Sequence, residues 1–130
     1  MPMPKTLGDF IREARARIRE MDADTARERL GEMLVVDVRE AEEFVLGHLP
    51  GASSIPRGRL EAAADPAYKG CDARLSRAAA CEILLYCSTG ARSALAAATL
   101  MDMGFSRVYS LAGGTELWLA EGYELMKESP

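Results

Sequence analysis

Apolar positions near the start of the chain recur at helical spacing, then give way to short unbroken apolar runs. Leu7, Phe10, Ile11, Ala14 and Ile18 fall three or four residues apart, which predicts an amphipathic helix over residues 6–20. The polar break at Met21, Asp22, Ala23 and Asp24 ends that stripe. Asp22 or Asp24 is placed to cap a second short helix reaching about Leu30, with Gly31 to stop it. Residues 34–38, LVVDV, form a short β-branched run without alternation, the mark of a strand buried on both faces. A short helix over 40–46 follows, then a loop punctuated by Gly47, Pro50, Gly51 and Pro56. Residues 57–82 carry weaker signals: helix at 60–64, a break at Asp65-Pro66, and a turn at 76–80. A second buried strand is predicted at 83–86, an alanine-rich helix at 91–103 ending on Gly104, and a third strand at 107–111. Gly113 and Gly114 turn the chain into a last helix opened by Thr115, with Leu117, Trp118 and Leu119 closing the core.

Strand and helix alternate, so the expected fold class is α/β: a single domain with a small parallel β-sheet flanked by helices on both faces. The first helix stands outside this alternation. We therefore expect an N-terminal helical extension over residues 1–17, packed on its own domain or on a partner chain, and a domain over 18–130. The 130 residues suit one domain, and 48% apolar content is enough for a core. A net charge of −4 gives no global field for nucleic acid, and the basic stretch from Arg12 to Arg19 is diluted by Glu13. No apolar run reaches the roughly 20 residues that span a bilayer. The segment Met1-Pro2-Met3-Pro4-Lys5 lacks the pattern of a secretory signal, which leads to an expected cytoplasmic location with no membrane partner. Three cysteines at 71, 81 and 87 do not make a disulfide framework, and with one histidine, His48, no metal site is expected.

The candidate chemistry lies just after the second strand. In open α/β sheets ligands gather beyond the carboxyl ends of strands. Cys87 occupies such a place and is followed by Ser88, Thr89, Gly90, Ala91, Arg92 and Ser93. Small residues with one glycine let the backbone curl into a nest of inward N–H groups, and a helix N-terminus adds its own unpaired donors. Arg92 adds a cation and Ser93 a hydroxyl. Each favours thiolate over thiol, which would activate the nucleophile without a histidine.

The loop CSTGARS, residues 87–93, resembles the active-site loop of rhodanese domains. DVRE (residues 37–40), Glu43-Phe44, GHLPGA (residues 47–52) and Ser54-Ile55-Pro56 resemble that family's first signature, and LAGG (residues 111–114) with Trp118 and Gly122-Tyr123 its C-terminal one. The resemblance spans about residues 18–126. It implies a sulfurtransferase in which Cys87 carries a sulfane sulfur as a persulfide, the backbone from Ser88 to Arg92 holds that sulfur, and Arg92 favours anionic donors such as thiosulfate. Asp37 and Arg39 are expected beside the site as supports or as a structural ion pair. Arg57 is expected at the pocket mouth or on the solvated surface, and His48 as a loop-fixing ring. Cys71 and Cys81 are expected to be ordinary side chains, with Cys81 a remote option for a resolving thiol.

No cofactor is implied. The expected partners are a small sulfur donor, thiosulfate or a persulfide, and a thiol or cyanide acceptor; a protein acceptor and a homodimer stay open. A protein-docked sulfur carrier and a non-turnover rhodanese-like binding module are alternatives. A Cys-dependent phosphatase or arsenate reductase is a further one. Those loops place five residues between cysteine and arginine, whereas four intervene here, a length better suited to one sulfur atom than to a tetrahedral phosphate.

Overall fold

A computed structural model describes residues 3–127 of the chain. Met1 and Pro2, part of the segment read above for a secretory signal, lie outside the described residues, as do residues 128–130 of the expected domain. The elements run α1 (Leu7–Arg17), β1 (Arg19–Met21), α2 (Ala23–Arg29), β2 (Leu34–Asp37), α3 (Ala41–Leu46), β3 (Ser53–Ser54), α4 (Leu60–Ala64), α5 (Ala73–Ser76), β4 (Ile83–Tyr86), α6 (Ala91–Asp102), β5 (Val108–Leu111) and α7 (Gly114–Ala120). Two 3₁₀ turns, Leu30–Glu32 and Arg57–Arg59, interleave with them. The strands form one parallel sheet in the order β1-β5-β4-β2-β3. The expected α/β class and parallel sheet are thus observed, together with the extra N-terminal helix.

Side chains on the central strands alternate between the two faces, as the two-residue period of a strand requires. Ile83, Leu85 and Cys87 pack with Leu60, Leu75, Ala96, Ala97 and Leu100, so α4, α5 and α6 cover one face. Leu84 and Tyr86 pack with Ala23, Ala26, Leu49 and Trp118, so α2, α7 and the loop after α3 cover the other. All four residues of β4 are fully buried, which explains their unbroken apolar run. Among the described residues no helix is long and apolar enough to cross a membrane.

Four expectations change. The first helix ends at Arg17, and Ile18 is extended (φ −92°, ψ 170°). Residues 19–21 then pair with β5, Arg19 beside Tyr109 and Met21 beside Leu111. Edge pairing overrides the helical spacing there, and the exposed Arg19 and Glu20 are the charged positions that an edge strand tolerates. Ser53–Ser54, read as loop, pairs with Val36 and Asp37 at the opposite edge. Leu117 and Leu119 do not close the core: they are 38% and 51% exposed, while Trp118 is buried. Each helix residue advances about 100°, so with Trp118 inward its two neighbours flank outward. Gly31 lies within a 3₁₀ turn instead of ending the second helix.

α1 is anchored by a capping box, with Thr6 accepting from the Asp9 amide and Asp9 accepting from the Thr6 amide. It packs on α6 through Ala14 against Ala94 and Ala98. Arg17 reaches Asp102 across the same contact. The helix therefore packs on its own domain.

Candidate active site

Cys87 extends the line of β4 by one residue and is fully buried on the α6 face. Gly90 caps α6 in the left-handed region (φ +98°), a conformation that costs a residue with a Cβ about 1–2 kcal/mol. That bend turns the chain back over the sulfur. The amide of Gly90 donates to Sγ at 3.2 Å and the amide of Ser93 at 3.3 Å, with the Ser93 hydroxyl 3.5 Å away. Burial pushes the Cys87 thiol up, but the Ser93 hydroxyl and the amides of Ser93, Thr89 and Gly90 together outweigh it, and the thiol lies below its ordinary value.

The loop is also held from behind. The amides of Thr115 and Glu116, at the start of α7, donate to the carbonyls of Cys87 (2.9 Å) and Ser88 (3.0 Å). These are the donors that a helix N-terminus leaves unpaired. With its carbonyls drawn toward α7, the loop directs its amides at the sulfur. Gly114 makes this approach feasible: a Cβ there would stand 2.4 Å from the Cys87 carbonyl oxygen and 2.5 Å from the Ser88 carbonyl carbon.

Two residues join the site that the sequence did not single out for a role. Ser110 on β5, fully buried, lies 2.8 Å from the Ser93 hydroxyl. Glu43, quoted above only as part of a motif, takes both guanidinium ends of Arg92, at 3.0 and 3.3 Å. It also accepts from the Ser88 hydroxyl at 3.3 Å, while Arg92 donates to that same hydroxyl at 3.1 Å. The pairing with Arg92 holds the Glu43 carboxyl below its usual range and raises Arg92. The signal that could have found Glu43 is its place at N3 of α3, where it also accepts from the Glu40 amide.

The remaining predicted residues sort by contact. Asp37 and Arg39 form a buried ion pair, with the Asp37 carboxylate 3.0 Å from Nε and 2.7 Å from Nη2 of Arg39. Arg39 also donates to the Gly47 carbonyl at 2.6 Å and lies over the Tyr86 ring. Their hydrogen bonds fix the turn after β2 and do not reach the Cys87 loop, although Arg39 helps lower Glu43 through its charge. Tyr86 is held protonated by burial and by the nearby Asp37 charge, and its oxygen accepts from the Leu49 amide. Arg57 bonds to Glu61 and Thr99 and lines a groove between α1 and α6, and these side-chain bonds do not reach the Cys87 loop. His48 stacks on Phe44 at 4.0 Å, and its Nδ1 lies 3.1 Å from the Phe44 carbonyl. Cys81 is exposed and precedes β4, whereas Cys87 follows it. Six residues of largely extended chain put them roughly 20 Å apart, which removes Cys81 as a resolving thiol within one chain.

Cys87 thus stands at the carboxyl end of a central parallel strand with main-chain donors turned toward its sulfur. The chain belongs to the rhodanese-like domain family, whose model matches residues 22–121. A sulfurtransferase of Allochromatium vinosum is 30% identical over 112 residues, 84% of this chain and 95% of that protein. The thiosulfate sulfurtransferase GlpE of Ectopseudomonas mendocina is 39% identical over 87 residues, 67% of this chain and 71% of the relative. A solved structure from Rhodopseudomonas palustris, of a protein of unknown function described as a possible tyrosine phosphatase, superimposes with a TM-score of 0.86 at 28% identity. It covers 97% of this chain and 99% of that one.

Proposed function

We propose that the protein is a sulfurtransferase that moves a sulfane sulfur through a persulfide on Cys87. The observation that carries this reading is the pair of amides, from Gly90 and Ser93, 3.2 and 3.3 Å from a buried Sγ. Such donors stabilise an anionic sulfur and are already oriented before a donor arrives. The Cys87 thiolate attacks the outer sulfur of thiosulfate; the new S–S bond forms as the old one breaks, and sulfite leaves with the electron pair. A thiol or cyanide acceptor then attacks the outer sulfur of the persulfide, and Cys87 departs as the thiolate. This is two-step covalent catalysis, and it uses no cofactor. Ser88, Thr89, Gly90, Ala91, Arg92 and Ser93 form the binding loop, with Asp37 and Arg39 shaping the turn beside it. A protein thiol and a second copy of the chain stay among the partners to test. The cytoplasm is the compartment proposed, since Cys71, Cys81 and Cys87 are all unpaired.

The test is direct. Wild-type protein treated with thiosulfate should gain one sulfur atom on Cys87 by mass spectrometry, and Cys87→Ser should lose all transfer while keeping its circular dichroism spectrum. A Cys87 left unmodified by thiosulfate and by glutathione persulfide would overturn the reading. The description of the Rhodopseudomonas neighbour keeps a phosphatase on the test panel. Four residues between Cys87 and Arg92, and the engagement of Arg92 by Glu43, count against it. Hydrolysis of an aryl phosphate that is lost in Cys87→Ser would reverse that judgement.

A further inference from the structure

We propose that Glu43 is a specificity-determining residue: a fixed counter-anion on Arg92 that biases the Cys87 site against negatively charged sulfur donors and toward neutral or weakly charged persulfides. The inference deepens the sulfurtransferase reading and rests on it for the identity of the donors.

The argument starts from charge. Arg92 is the cation of the CSTGARS loop, and a free guanidinium there would draw the sulfonate end of thiosulfate. In the structure it is not free. Both of its terminal nitrogens face the Glu43 carboxylate, at 3.0 and 3.3 Å, in the forked geometry that guanidinium and carboxylate favour. The side chains are 38% and 35% exposed, so the pair is open to dissolved reagents and only partly screened by water. Ser88, the first residue after the nucleophile, ties the two together by accepting from Arg92 and donating to Glu43. Arg92 and Glu43 thus sum to zero, so Arg92 does not offset the charge of an ionised Cys87; the other cation beside the loop is Arg15 of α1, whose Nη2 lies 3.6 Å from where a Cβ on Gly90 would stand. A dianion must either displace Glu43 from Arg92 or do without that guanidinium. A neutral persulfide meets neither obstacle.

Glu43 is held in this position by its own element. Its carboxylate accepts from the Glu40 amide at 3.1 Å as half of the capping box of α3. The counter-anion is therefore anchored on a helix end, and a competing anion has to break that arrangement as well. Glu43→Gln is the informative change. It removes the charge and keeps an amide oxygen for the Glu40 cap and a polar group against Arg92.

The experiment uses full-length protein in a Cys71→Ser, Cys81→Ser background, so that Cys87 is the one thiol observed. The first readout is thiolate absorbance against pH. Glu43→Gln should lower the Cys87 midpoint by half a unit or more, and Glu43→Asp, which retains the charge, should stay closer to the parent. The second readout is the ratio of alkylation rates by iodoacetate and iodoacetamide, reagents of nearly equal size that differ by one negative charge. Glu43→Gln should raise that ratio about fivefold at low salt, and the gain should shrink as salt rises. The third is the ratio of kcat/KM for thiosulfate to that for a neutral alkyl persulfide, which should rise by a similar factor. A midpoint or an alkylation ratio that does not move in Glu43→Gln overturns the assignment, as does a donor ratio unchanged within twofold. A moved midpoint and alkylation ratio, in a protein whose Cys87 accepts sulfur from no donor, would instead sink the sulfurtransferase reading and leave Glu43 as the counter-anion of the site.

Discussion

Ser110 shows how one hydroxyl can act on a sulfur it does not touch. When Cys87 is ionised, the Ser93 hydroxyl donates to Sγ and can accept only from elsewhere; the Ser110 hydroxyl, 2.8 Å away, is that donor. Ser110→Ala should therefore raise the Cys87 midpoint, with a stability cost of about 1 kcal/mol for the orphaned hydroxyl. Thiolate titration and urea denaturation read the two effects separately, and a midpoint identical to wild type would remove Ser110 from the site. The rate of persulfide loading should rise with pH and reach half its plateau at a lower pH than an ordinary thiol would. The sign follows from Cys87 titrating lower in the fold than in the unfolded chain. Its contribution to stability is complete above the unfolded value and is lost as pH falls through the folded one. Asp37→Ala should cost about 3–5 kcal/mol, because it strands the Arg39 cation in a buried site. Cys87 and its loop were legible in the sequence because seven contiguous residues carry the whole signal. Ser110 was not, since only the sheet register, which sets it beside Leu85, brings it to the site. The contacts of Arg57 were hidden for the same reason: its side chain can point many ways, and its partner Thr99 lies 42 residues on.

At the scale of elements, the site is a junction of three helix starts. α6 begins with the bend at Gly90, α7 lends two amides to the carbonyls of Cys87 and Ser88, and α3 contributes Glu43 from its first turn. Gly114→Ala would drive a methyl into the Cys87 and Ser88 carbonyls at a residue with φ +58°. The left-handed backbone alone costs about 1–2 kcal/mol, and the displaced loop should lower sulfur loading tenfold or more, measured beside the melting temperature. Strands β2, β4 and β5 were visible as apolar runs. β1 and β3 were not, because two or three residues such as Ser53 and Ser54 have no periodicity to detect. Pairing with β5 and β2 alone makes them strands.

Across the whole molecule, the three sequence signatures prove to be one contact set. Glu43 of the first, the CSTGARS loop of the second and Gly114 of the third meet around one sulfur, although 71 positions separate Glu43 from Gly114. The helix α1 is tied into the fold by Ala14 and Arg17, and its Arg15 guanidinium lies 3.6 Å from where a Cβ on Gly90 of the loop would stand. Ala14→Asp would place a carboxylate against Ala94 and Ala98, and should cost about 2 kcal/mol or more, seen as a lower thermal midpoint. If α1 is only draped on the surface, that midpoint will not move. The alternation of strand and helix made the α/β architecture readable in advance. The seat of α1 on α6 was less so, because two of its large apolar residues, Leu7 and Phe10, are 68% and 49% exposed and the buried contact falls on alanines.

The position of Cys81 and Cys87 at opposite ends of β4 has a practical corollary for labelling. One thiol is open to solvent and the other has no exposed surface, so molecular size sorts reagents between them. With the partly exposed Cys71 replaced by serine, a bulky maleimide dye will mark Cys81 while leaving the sulfur at the far end of the strand untouched, giving a fluorescent reporter on a protein whose Cys87 is still free.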